Sequence, residues 1–146
     1  MKTLFAFTTL LFLAPLALAL SPVNKSKLGS LAIQGYDPVS YFTDAKATKG
    51  QKTFEYEYQG AKWRFSSKQN LDQFKANPEA YAPQFGGYCA WAVSQGYTAK
   101  IDPKARKVVE GKLYLNYNKS VQAKWEKDAE KLIVKGNENW PKLLEE

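Results

Sequence analysis

The stretch Phe54-Glu55-Tyr56-Glu57-Tyr58-Gln59-Gly60-Ala61-Lys62-Trp63-Arg64-Phe65 decides the fold class. Residues 54–58 alternate aromatic and acid, so every second side chain is apolar, which is the period of a half-buried strand. Gln59-Gly60 is a two-residue turn signal, and the alternation resumes over 61–65. The segment predicts a β-hairpin with Phe54, Tyr56, Tyr58, Trp63 and Phe65 on its inner face. Ser66 and Gln69 then stand three apart, as in a capping box, ahead of Leu71 and Phe74. That spacing predicts a helix over 67–76. Asn77-Pro78 should end it, because a residue before proline is pushed out of the α region.

Downstream, Gly86-Gly87 allows a sharp entry into a second short helix, Tyr88 to Ser94, which Gly96 closes. Residues 101–107 read as a loop around Asp102-Pro103. Val108-Val109, the turn Glu110-Gly111-Lys112 and the run Leu113 to Tyr117 predict a second hairpin. Asn118 is a fitting N-cap for a final helix, in which Val121, Trp125, Ala129, Leu132 and Ile133 recur at helical spacing. Gly136 should stop that helix and leave Trp140-Pro141-Lys142-Leu143-Leu144 as a short docked tail. Upstream, 32–42 packs around turns at Gly35 and Asp37-Pro38. The expected class is α+β: two antiparallel β-hairpins packed with short helices and a longer C-terminal amphipathic helix.

The N-terminus carries an export pattern. Lys2 precedes an apolar run from Leu4 to Leu18, broken by Thr8, Thr9 and Pro15, and Ala17-Leu18-Ala19 offers an A-x-A cleavage site. Residues 1–19 are therefore read as a signal peptide, too short and proline-interrupted for a membrane span. A polar, loose lead-in over 20–31 and a single domain over 32–146 follow. The expected location is periplasmic or extracellular. No other stretch is apolar enough to cross a bilayer.

Composition narrows the chemistry. The 146 residues include no histidine, one cysteine and one methionine, Met1. A Ser-His or Cys-His nucleophile is thus impossible, and binding is favoured over catalysis. The net charge of +7 comes from lysines scattered among acids. That gives a solvated basic surface without the dense stripe that nucleic acid requires. One cysteine cannot form an internal disulfide. Cys89 is buried, reactive, or paired with a second copy of the chain in a homodimer.

Several motifs now converge. Asp37-Pro38-Val39, an aromatic strand ending in Phe65-Ser66-Ser67, Phe74, and Asn77-Pro78-Glu79 with Tyr81 resemble the YHS domain over residues 32 to 83. The segments Ala82-Pro83-Gln84-Phe85-Gly86-Gly87-Tyr88-Cys89-Ala90 and Gly111-Lys112-Leu113-Tyr114-Leu115-Asn116-Tyr117 look like those of secreted bacterial YHS-domain proteins. The resemblance implies metal handling, of copper especially. It places the ligands at the position after Asp-Pro-Val and at the position before the core serine. Here those positions hold Ser40 and Ser66, and serine is a poor soft-metal ligand. Ser66 is better read as the cap of the helix it precedes.

Two readings of the Cys89 segment remain open. In the first, Cys89 is a small buried hydrophobe. Otherwise it lies in the first turn of a short helix, where the helix dipole favours a thiolate able to bind copper or another soft metal, or to do redox work. The aromatics divide in the same way. Tyr88, Trp91, Tyr41 and their neighbours are either core or the walls of a pocket for a flat ligand, with Asp37 or Arg64 as polar anchors. The leader makes one expectation independent of all this. Intact mass of the exported protein should correspond to a chain that starts at Leu20, and a product retaining Met1 to Ala19 would overturn the signal-peptide reading.

Overall fold

The computed structural model describes residues 10–11 and 19–146, so nearly all of the expected leader at 1–19 lies outside the described residues. The first hairpin forms as its alternation requires. Strand β1 (Gln51–Tyr58) pairs antiparallel with β2 (Ala61–Phe65), setting Tyr56 opposite Trp63 and Tyr58 opposite Ala61. Gln59 and Gly60 both have positive φ, 51° and 73°. That is the primed two-residue turn whose twist matches the strands. Trp63 and Phe65 are buried, and Phe54, Tyr56 and Tyr58 are half-buried.

The second hairpin pairs β3 (Asp102–Val109) with β4 (Lys112–Asn116), turning at Glu110-Gly111 in the same left-handed manner. Strand β3 begins well before Val108, across residues expected to be loop. The register shifts between Asp102 and Arg106, and Pro103, which cannot donate to a ladder, sits in that irregular part. Pro103 and Ala105 are buried there. The two hairpins are separate two-stranded sheets.

Among the described residues six helices surround the hairpins: α1 (Ser40–Thr43), α2 (Lys68–Ala76), α3 (Pro78–Tyr81), α4 (Ala90–Ser94), α5 (Lys119–Glu126) and α6 (Ala129–Glu145). The arrangement is α+β, as expected. Phe74 of α2 is the hub of the first core. Its ring centroid lies 5.1 Å from Phe65, 5.4 Å from Trp63, 5.6 Å from Tyr58 and 6.2 Å from Tyr56. A second core gathers Phe85, Tyr114, Trp125 and Leu143, with Trp140 packed on its flank.

Three expectations need correction. The N-cap of α2 is Ser67, whose side chain accepts from the Asn70 N–H, and Ser66 does not cap the helix. The lead-in over 20–31 is not loose. Val23 is buried, and the Asn24 N–H donates to the Gly86 carbonyl at 2.8 Å while Asn24 Nδ2 donates to Gly87 at 3.1 Å. Gly86 permits this approach, because a Cβ there would sit 2.0 Å from the Pro22 carbonyl oxygen.

The final helix is also two helices, broken at Lys127-Asp128, and Gly136 does not end the second. Helix α6 continues through Gly136 and Pro141 to Glu145, so the expected docked tail is its last turns. Gly136 is there for packing: a Cβ on it would meet Phe85 Cζ at 2.5 Å. Two effects therefore oppose each other in Gly136→Ala. Helix propensity favours alanine by about 1 kcal/mol, while overpacking against a buried ring costs about 1–3 kcal/mol. The second should win, and the urea midpoint should fall. A variant more stable than the parent would show that Phe85 yields freely.

Candidate functional site

Asp37 is the most constrained polar residue described. It is fully buried, and its carboxylate takes five hydrogen bonds. Oδ1 accepts from the Val39 N–H at 2.8 Å and the Ser40 N–H at 3.3 Å, closing the Asp-Pro-Val turn on itself. Oδ2 accepts from the Ser66 N–H at 2.8 Å, the Ser66 hydroxyl at 2.7 Å and Asn70 Nδ2 at 2.7 Å. Asp37 thus ties the turn before α1 to the end of β2 and the first turn of α2. A buried carboxylate is tolerable only when its lone pairs are satisfied in this way.

The two serines at the implied ligand positions both belong to this knot. The Ser40 hydroxyl donates to the Asp37 carbonyl at 2.7 Å and also lies 3.1 Å from the Lys46 carbonyl. The fold does bring both positions to Asp37, as a ligand pair would require. The side chains present make a hydrogen-bonded brace there. Hydroxyls already spent on the protein do not fit a soft metal ion.

Cys89 is 1% exposed. It is the N-cap residue of α4 and not a member of its first turn, and α4 has only five residues. Its backbone N–H donates to the Ala99 carbonyl at 3.1 Å. Sγ lies 3.6 Å from Asn116 Oδ1, which also accepts from the Trp91 N–H at 3.0 Å. Of the two readings of Cys89, the structure takes the buried one. The homodimer through Cys89 is therefore corrected, since a thiol packed in the core cannot meet its copy without unfolding. Among the described residues no group of three or more histidine, cysteine, aspartate or glutamate side chains is placed to hold a metal ion.

The other expected site residues do not converge on Cys89. Tyr88 turns toward the second core, where its hydroxyl donates to the Ser21 carbonyl at 3.0 Å and its ring lies 5.9 Å from Trp140. Burial raises its phenol pKa. Trp91 is half-buried beneath the Lys124 ammonium, 4.5 Å from the ring centroid. Tyr41 is buried and donates to the Pro103 carbonyl at 2.7 Å. Desolvation, reinforced by neighbouring Tyr36, holds its phenol well above the usual tyrosine range. It stays neutral and engaged, which makes it a brace between α1 and β3. Arg64, the alternative polar anchor, is paired across the hairpin with Glu55 at 2.9 Å.

Sequence reasoning missed Asn70 and Asn116. Asn70 lies in the first turn of α2, where its N–H is held by Ser67, and no local pattern ties its side chain to Asp37. Asn116 ends the run Leu113-Tyr114-Leu115, all buried, so a polar residue in that register was the available signal.

Residues 39–85 match the family model of the YHS domain, a module generally linked to the handling of metals, copper above all. Neither a curated protein nor a solved structure matches the chain. Within the matched region lie Ser40, Ser66, Asn70 and Phe74; Asp37 stands two residues before it and Cys89 four residues after it.

The knot predicts a ranking. Ser67→Ala should cost about 1 kcal/mol through the lost cap. Ser66→Ala should cost about 1–3 kcal/mol by leaving a buried acceptor short of a donor. Asp37→Ala, which strands several donors at once, should cost more than either. Urea unfolding of the three variants checks the order, and an Asp37→Ala cost no greater than that of Ser67→Ala would remove the knot from the account of stability.

Proposed function

We propose that this chain is an exported, non-catalytic binding module built on a YHS domain, and that its recognition is not routed through a soft metal or a reactive thiol. The observation that carries the reading is the state of Cys89. As the only soft ligand after the proposed cleavage site, it is buried, with its sulfur set against Asn116. A second support is the use of Ser40 and Ser66 as hydrogen-bonding partners of Asp37.

Export rests on the pattern of residues 1–19, namely a charged start, an apolar run and Ala17-Leu18-Ala19. Kinship with the secreted bacterial YHS proteins rests on the segments 82–90 and 111–117. Among the described residues no helix is long and apolar enough to cross a membrane.

Alkylation tests the reading directly. Cys89 should react with iodoacetamide only when the protein is unfolded by denaturant, and Cu(I) titrated against a competing chelator should form no one-to-one complex. Rapid labelling of the folded protein would defeat the proposal. So would a stoichiometric Cu(I) complex that Cys89→Ser abolishes.

A further inference from the structure

A mixed cleft of about 470 Å³ lies between the tip of the first hairpin, α3, the Phe85–Gly87 turn and α6. That volume is in the range of small-ligand sites. Its wall is aromatic, with half-buried Tyr58 and Trp140 beside the more deeply set Phe85. The base is rigid. Phe85 is wedged against Gly136 and stands 5.9 Å from Tyr114 and 6.2 Å from Trp140, centroid to centroid.

Polar groups ring this wall. Glu79, from the Asn77-Pro78-Glu79 motif, lies close enough to Tyr58 to help raise the pKa of its phenol, after the larger effect of burial. Asn137 lines the opposite side on α6, and Pro141, four residues on, lacks the N–H that would normally bond the Asn137 carbonyl. Glu79 takes part in none of the ion pairs found among the described residues. Lys112 completes the rim.

This lining suits a ligand of mixed character. A wholly apolar ligand would desolvate Glu79 and Asn137 without replacing their hydrogen bonds. Glu79 and Lys112 set one exposed charge of each sign on the rim, so the lining has no net preference for an anion or a cation. A neutral molecule with both donors and acceptors on one edge and an apolar C–H face on the other matches it.

We propose that the cleft binds a short uncharged oligosaccharide. Trp140 and Tyr58 stack against the C–H face of a pyranose ring, and Glu79 and Asn137 hydrogen-bond its hydroxyls. The inference rests on the binding-module reading, to which it adds a ligand class and a place. Cys89 itself does not line the cleft.

The test is an NMR chemical-shift titration of the whole mature protein with chitotetraose, maltotetraose and cellotetraose, with acetate and tetramethylammonium as ionic controls. At least one oligosaccharide should shift resonances of α3, α6 and the Tyr58–Gly60 turn. Glu79→Ala, on the exposed rim, should weaken that binding about tenfold by removing a charge-assisted hydrogen bond without changing the urea midpoint. Trp140→Ala should weaken it further, and Trp140→Phe should restore part of the loss if stacking is the cause.

The proposal is overturned if none of the three oligosaccharides perturbs the cleft at about 10 mM, weaker than a millimolar complex. It is equally overturned if binding is indifferent to Glu79→Ala, or if only an ionic control binds. A reactive, copper-binding Cys89 would instead defeat the binding-module reading, and the two failures are told apart by the Cys89 measurements alone.

Discussion

The carboxylate of Asp37 is the constraint on which the matched region depends. The elements it joins are short: a four-residue helix, the end of a five-residue strand and the first turn of a nine-residue helix. None would hold its place by local propensity, since isolated helices of this length are marginal in water. The same carboxylate fixes all three, with Oδ1 closing the turn and Oδ2 holding the strand end and the helix start. Phe74 is thereby set over the inner face of the hairpin, where four aromatic rings surround it. The polar knot and the aromatic hub are complementary. The first sets the angle between helix and hairpin, and the second supplies the buried area that stabilises it.

The two hairpin turns and the Asn118 cap were legible because their signals are local. Alternation over 54–65, the Gln59-Gly60 turn and the Asn118 cap each depend on residues within a few positions of one another, and the Asn118 side chain does accept from the Val121 N–H. Illegible features depend on distant partners. Gly136 reads as a helix stop until Phe85 is seen against it. Ser66 and Ser67 are alike as caps in sequence, and only a carboxylate nearly thirty residues upstream decides which of them is free to cap α2. The early start of β3 was hidden by Pro103, tolerated because the ladder is irregular there. Of the expected site residues, Asp37 and Tyr41 turned out to brace the fold, while Cys89, Tyr88 and Trp91 face different surroundings despite their adjacency. Glu79 and Trp140, which share a cleft, are sixty-one positions apart, and no local rule connects them.

A buried cysteine beside a buried asparagine gives the second half of the molecule its own fixed point. Asn116 Oδ1 accepts the Trp91 N–H, one of the unpaired amides that open α4. It therefore does for α4 what Ser67 does for α2, but from another strand. Asn116 Nδ2 has no partner among the described residues. Such a donor is a cost unless an ordered water meets it. Asn116 ends β4, which is buried from Leu113 onward, so the junction with α4 is held at a cost in local stability.

The threading of residues 21–25 over the Phe85–Gly87 turn bears on the order of assembly. Val23 and Ile33 are synthesised early, yet the glycines and carbonyls that receive this segment come some sixty residues later. Closing so long a loop carries an entropic cost that must be met before the contacts stabilise it. The segment is made before the residues that receive it, so its docking must await them. Until then its apolar side chains, and the groove they will fill, face solvent. Apolar surface exposed over that interval is open to aggregation.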